Sequence, residues 1–115
     1  MKIQKINVES YPLAVDEALS KVQTEIEVLS FGEQTKVLKV IHGYGSRGVG
    51  GKIKIEIIPL LQTLCKQGKI LDFIPNEKFT PQNEKYLTYT KLYPELILDA
   101  DLQNQNPGIT LIFLN

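Results

Sequence analysis

The chain has 115 residues, 43% hydrophobic and 23% charged, which suits one domain whose core buries roughly two-thirds of the unfolded chain's surface. Thirteen basic groups balance thirteen acidic ones, so the protein as a whole exerts no strong general pull on nucleic acid. No apolar run approaches the ~20 residues of a membrane span, Met1-Lys2-Ile3-Gln4-Lys5-Ile6 lacks a signal peptide's apolar stretch, and the lone Cys65 excludes an internal disulfide, so the cytoplasm is the expected setting.

Ile3, Ile6 and Val8 predict a first strand near residues 2–8. Ser10 suits a helix cap and Pro12 a first turn, with Asp16 and Glu17 complementing the positive end of the helix dipole. Val15, Leu19, Val22, Ile26 and Leu29 recur every three or four residues and predict an amphipathic helix over 12–29, stopped near Gly32. Val37-Leu38-Lys39-Val40-Ile41 is a short β-branched run, hence a buried strand. Gly43-Tyr44-Gly45-Ser46-Arg47-Gly48-Val49-Gly50-Gly51 follows, with five glycines in nine residues.

The segment after the glycines alternates with period two at Lys52–Ile57, yet Ile53, Ile57, Leu60, Leu61 and Leu64 have helical spacing up to Gly68. A helix over about 51–67 is expected, kinked or irregular before Pro59, since an interior proline removes a hydrogen bond. Cys65 lies in its apolar run and reads as packing. Ile70–Ile74 is a further strand, and Thr80-Pro81 opens a shorter helix over about 81–92. On one face of that helix lie Tyr86, Tyr89 and Tyr93, a stripe suited to stacking on bases but more often packed against the domain. A turn at Asn104–Gly108 precedes a last strand over 109–114.

The order βαβαβ(α)β implies right-handed crossovers and a small, mostly parallel sheet covered by helices, a two-layer α/β sandwich over residues 1–115. A last strand of this kind can pair antiparallel at an edge. Charge is unevenly spread. Residues 34–69 carry Lys36, Lys39, Arg47, Lys52, Lys54, Lys66 and Lys69 against Glu56 alone, a net of +6, while each flank is −3. Such a block around a glycine loop suits an anionic partner, or else a solvated lysine face.

Glycines between a buried strand and a helix let the backbone approach an anion, with successive N–H groups and the helix N-terminus directed at it. The P-loop pattern fails at both ends, because Ser46 stands where its first glycine belongs and Ile53 where Ser or Thr would hold Mg²⁺. The dinucleotide pattern GxGxxG fits Gly43-Tyr44-Gly45-Ser46-Arg47-Gly48, with Asp72 further on, but Val49-Gly50-Gly51 delays the helix that should begin within it.

Ile41-His42-Gly43-Tyr44-Gly45, with its loop and following helix, resembles the HGxG signature of the Smr (small MutS-related) domain family. Asp16-Glu17-Ala18 is similar to the acidic-Ala pair early in that family's first helix, and Gly108-Ile109-Thr110 to its terminal Gly-Ala-Thr strand. The resemblance implies a sandwich like the C-terminal domain of translation initiation factor three, DNA or RNA as partner, and in many members endonuclease activity. Members that cut carry Leu-Asp-x-His at the end of the first strand; here Ile6-Asn7-Val8-Glu9 stands there. The 46–51 loop and the 80–106 segment also look longer than the family's.

Phosphodiester cleavage needs an activated nucleophile, stabilised phosphate charge and a protonated leaving oxygen. His42 is the only histidine and suits acid or base work. Asn7 can do neither; Glu9, two residues on along the strand, can pair with His42 if that strand end lies beside the loop. No His/Cys cluster suggests zinc, and Mg²⁺ or Mn²⁺ would enter only with hydrolysis. The expected function is therefore nucleic-acid binding with absent or weak cleavage, through His42, Gly43, Gly45, Arg47, Lys52 and Lys54. The alternatives are an endonuclease using His42 with Glu9, and a protein-interaction module using the tyrosine face.

Overall fold

The computed structural model describes residues 3–9, 14–32, 34–43 and 50–115. The expected Ser10 cap and Pro12 first turn, and Gly45 and Arg47 of the loop, lie outside the described residues. Strand β1 (Ile3–Asn7) is followed by α1 (Val15–Ser30), β2 (Val37–Ile41), α2 (Gly50–Lys66) and β3 (Asp72–Pro75). A 3₁₀ turn (Asn76–Lys78), α3 (Glu84–Leu92), α4 (Glu95–Leu98) and α5 (Ala100–Gln103) then lead to β4 (Ile109–Phe113).

The four strands form one mixed sheet in the order β1-β2-β4-β3. β1 and β2 pair in parallel, Ile3 opposite Val37. β4 pairs antiparallel with both β2 and β3, with Phe113 opposite Val37 on one side and Asp72 on the other. The sheet is thus mixed and not mostly parallel as expected: β1, β2 and β3 share one direction, but β4 runs against them between β2 and β3, so only the β1–β2 pairing is parallel. The last strand is antiparallel as expected and interior instead of at an edge. The cause is its composition: every residue of Ile109-Thr110-Leu111-Ile112-Phe113 is buried, and only a central strand covered on both faces buries both of its side-chain rows.

The sheet and the α1–α2 pair form the two-layer sandwich. Ala18, Val22 and Ile26, spaced at four residues, face Ile6, Val8, Leu38, Val40 and Ile112 of the sheet side, together with Ile53, Ile57, Leu61 and Leu64 of α2. Helix α2 runs through Pro59. Pro59 and Ile55, whose carbonyl the proline leaves without its helical donor, are both exposed, so water can satisfy it. The helix closes where the glycine predicts: Gly68 takes φ +72°, and its N–H and that of Lys69 donate to the Cys65 and Leu64 carbonyls, a left-handed cap that favours glycine.

The segment 76–106 lies over the opposite face. Phe79, Tyr89, Leu96 and Leu102 pack on Val37, Ile74, Ile109, Leu111 and Phe113. The predicted third helix starts later than Thr80-Pro81, because the Asn83 side chain accepts from the Lys85 N–H and caps it there. Its tyrosine face turns inward. Tyr89 stacks on Phe113 with ring centroids 3.7 Å apart and donates to Asp72 Oδ2 at 3.2 Å; burial and the Asp72 charge push its pKa up. Tyr86 and Tyr93 pack half-buried beside it. Cys65 is half-buried, and burial raises its thiol pKa, in line with a packing role.

One polar residue of the buried run in β2 has its own solution. Lys39, 6% exposed, sends its ammonium to Asp99 Oδ2 at 2.9 Å and Asp101 Oδ2 at 2.8 Å. Burial pulls its pKa down, but the bonds and charges of the two aspartates outweigh this and leave it raised. The triad fastens the α4–α5 corner to the middle of the sheet.

Candidate functional site

The shared direction of β1, β2 and β3 brings Asn7, Ile41 and Pro75 to one end of the sheet, where β4 begins at Ile109. His42 leaves β2 at this end and α2 starts at Gly50. In open α/β sheets the carboxyl ends of the strands are where ligands bind.

His42 is 0% exposed, and its main chain and ring are both engaged. The N–H groups of His42 and Gly43 donate to the Gly108 carbonyl at 2.9 and 3.1 Å. Nδ1 lies 2.5 Å from the Gly43 carbonyl oxygen and Nε2 lies 2.9 Å from Thr110 Oγ1. A carbonyl can only accept, so Nδ1 carries the proton; in the neutral ring Nε2 then accepts from the Thr110 hydroxyl. Burial lowers the His42 pKa, the Gly43 hydrogen bond opposes this, and the Lys54 charge adds to the lowering. The ring is thus neutral at pH 7 and closed to solvent.

Stability should respond to this. The unfolded chain takes up a proton near the ordinary value of 6.5, the folded chain only at lower pH, so the unfolded state binds more protons between the two values. Stability contributed by neutral His42 is therefore present above about pH 6.5 and declines as pH falls toward the folded value. Thermal denaturation from pH 7.5 to pH 5 should show the decline, and His42→Gln should flatten it; an identical slope in both proteins would refute the assignment. Asp101, whose carboxyl the Lys39 hydrogen bond and charge hold below its ordinary value of 3.8, acts only in stronger acid.

Glu9 reaches the same place. Val8 N–H donates to the Ile41 carbonyl, which carries the chain one residue past β1 alongside β2, and Glu9 N–H donates to Asn7 Oδ1 at 2.8 Å in a local turn. The Glu9 carboxylate lies over Gly43, whose φ is +74°, and a Cβ there would overlap it. Glycine at 43 thus meets two demands, a left-handed backbone and room for a neighbouring acid. The expected pairing of Glu9 with His42 is adjacency only, since the ring nitrogens are engaged by Gly43 and Thr110.

Gly50 and Gly51 open α2 with no acid in its first turn, and Lys52 is exposed there. Lys54 forms an ion pair with Glu77 of the 3₁₀ turn. The remaining lysines of the basic block disperse. Lys39 is held by its aspartates, Lys36 reaches the Asn115 carbonyl oxygen, and Lys66 and Lys69 are exposed at the far end of α2, about 20 Å from Lys52 at 1.5 Å per helical residue. Beside Glu77, Asn76 is fully buried; its Nδ2 donates to the Asp101 carbonyl at 3.4 Å, and its Oδ1 has no hydrogen-bond partner among the described residues. Among the described residues no group of three His, Cys, Asp or Glu side chains is placed to hold a metal ion, and no helix is long and apolar enough to cross a membrane.

Sequence reasoning missed Gly108 and Thr110 as partners of His42, and Glu77 as partner of Lys54. Thr110 had a signal, being the one polar residue in an apolar strand; Glu77 had none. Comparison with protein-family models, with curated proteins and with solved structures gives no match.

Proposed function

We propose that this chain is a nucleic-acid-binding domain of Smr type that does not cleave the strand it binds, working in the cytoplasm. The observation that carries the non-hydrolytic reading is the state of His42. A general acid or base must come within hydrogen-bond reach of the proton it moves, and here both ring nitrogens are already bonded and the ring is 0% exposed. Asn7 has no acid–base chemistry to offer in its place. The binding reading draws support from the glycine loop at the carboxyl ends of the strands, the acid-free start of α2 and the exposed Lys52. The residues that resemble the family's signatures also meet in space: His42 and Gly43 are bonded to Gly108 and Thr110. In this reading His42 shapes the loop, while Gly43, Gly45, Arg47, Lys52 and Lys54 supply the anion contacts.

The test is incubation of labelled single-stranded RNA, single-stranded DNA and branched DNA with the protein, in Mg²⁺, in Mn²⁺ and in EDTA. Retarded but uncut substrate is expected. Log affinity should fall with log salt by about 0.7–0.9 per phosphate neutralised, and Lys52→Ala should reduce that slope by about one contact. Cleavage that His42→Gln abolishes would make the protein an endonuclease. Absence of both binding and cleavage at low salt would overturn the nucleic-acid reading.

A further inference from the structure

The Lys54–Glu77 pair joins two elements far apart in the chain, the start of α2 and the 3₁₀ turn that follows β3. Their side chains are 23% and 39% exposed, so the pair sits at the surface where a ligand can reach it. Both elements lie at the same end of the sheet as His42, since α2 begins at Gly50 and the turn follows Pro75 at the end of β3, which places the pair at the candidate site. A carboxylate on the Lys54 ammonium has the charge and acceptor geometry of a phosphate oxygen.

We infer that Glu77 is an intramolecular stand-in for phosphate, a latch that keeps Lys54 occupied until a nucleic-acid backbone displaces it. This inference rests on the nucleic-acid reading and names the regulation of that same site. A second, independent feature favours a latch over a fixed strut. The turn carrying Glu77 also carries Asn76, fully buried, whose Nδ2 reaches the Asp101 carbonyl at 3.4 Å while its Oδ1 has no partner among the described residues. The buried end of the turn is therefore incompletely satisfied where it stands, and a shift that found Asn76 a partner would offset part of the loss of the ion pair. Glu9 over Gly43 and Glu77 on Lys54 place two acids at the site, so an incoming phosphate is opposed until Glu77 moves away.

The test is Glu77→Gln, which removes the charge and keeps the shape. Its control is Glu84→Gln, an exposed acid at the start of α3, which changes net charge equally away from Lys54. Affinity for a labelled single-stranded RNA oligomer, and separately for a single-stranded DNA oligomer, is measured across a salt series. Glu77→Gln should bind about three- to tenfold more tightly than both the parent and Glu84→Gln, and its salt dependence should steepen by about 0.7, one single-strand phosphate contact. Adding Lys54→Ala to Glu77→Gln should erase the gain. If the parent binds and Glu77→Gln matches Glu84→Gln, the latch is overturned while the nucleic-acid reading stands. If no variant binds at low salt, that reading is overturned and the latch with it.

Discussion

His42→Ala is expected to destabilise the domain by about 3–5 kcal/mol, a loss read as a lower denaturant midpoint with an unchanged slope. The variant removes a ring that is 0% exposed and leaves the Gly43 carbonyl and the Thr110 hydroxyl without their partner. Each buried polar group stripped of its partner costs about 1–3 kcal/mol, and the vacated volume adds a cavity term. His42→Gln should recover part of the loss, because an amide offers one donor and one acceptor in place of Nδ1–H and Nε2. A His42→Ala protein within about half a kcal/mol of the parent, the ordinary range for a surface change, would mean that the ring is not sealed as described. The distinction matters for function. In an assay of the alanine variant alone, loss of fold would pass for loss of a catalytic group, so the glutamine variant is the informative one.

Lys39→Ala should cost about 3 kcal/mol, the low end of what removing one partner of a buried ion pair costs. Asp99, with a side chain only 13% exposed, would be left with its charge uncompensated, while Asp101, at 50%, would turn to solvent. The charge of Asp99 is the source of the cost. Lys39→Met combined with Asp99→Leu should therefore be far less destabilised than Lys39→Ala, since an apolar replacement of a whole buried pair is often neutral or better. Chemical denaturation of the parent, Lys39→Met, Asp99→Leu and the double variant gives the coupling directly. Additive losses would show that Lys39 and Asp99 do not act as a pair.

Most of the fold was legible because periodicity marks burial. Val37–Ile41 was bounded correctly by its β-branched run, whereas α1 was recognised by the recurrence of Val22 and Ile26 on one face but begins later than residue 12, at Val15, because Ala14 is still extended. Lys39 was visible as a polar residue in an apolar strand, but its partners Asp99 and Asp101 lie in a segment whose short helices carry no clear period. The place of β4 was not legible either. A continuous apolar run signals burial on both faces but not which strands flank it, and pairing order is decided by three-dimensional closure. At the site, the glycine-rich run brought Gly43 to attention, and the resemblance to the Smr signatures brought His42 and Glu9. It could not show that the His42 ring would be turned inward onto Thr110, because that depends on β4 lying beside β2.

The interior place of β4 also governs the order in which the domain can come together. β1 and β2 can pair across α1 on their own, but β3 shares no ladder with either of them. Only the arrival of Ile109–Phe113 joins the two parts, with Val37 and Asp72 meeting opposite sides of Phe113. The same insertion delivers Thr110 and Gly108 to His42. The glycine loop thus acquires its anchorage in the step that closes the sheet, and a chain halted before β4 would hold every residue of the loop without the framework that shapes it.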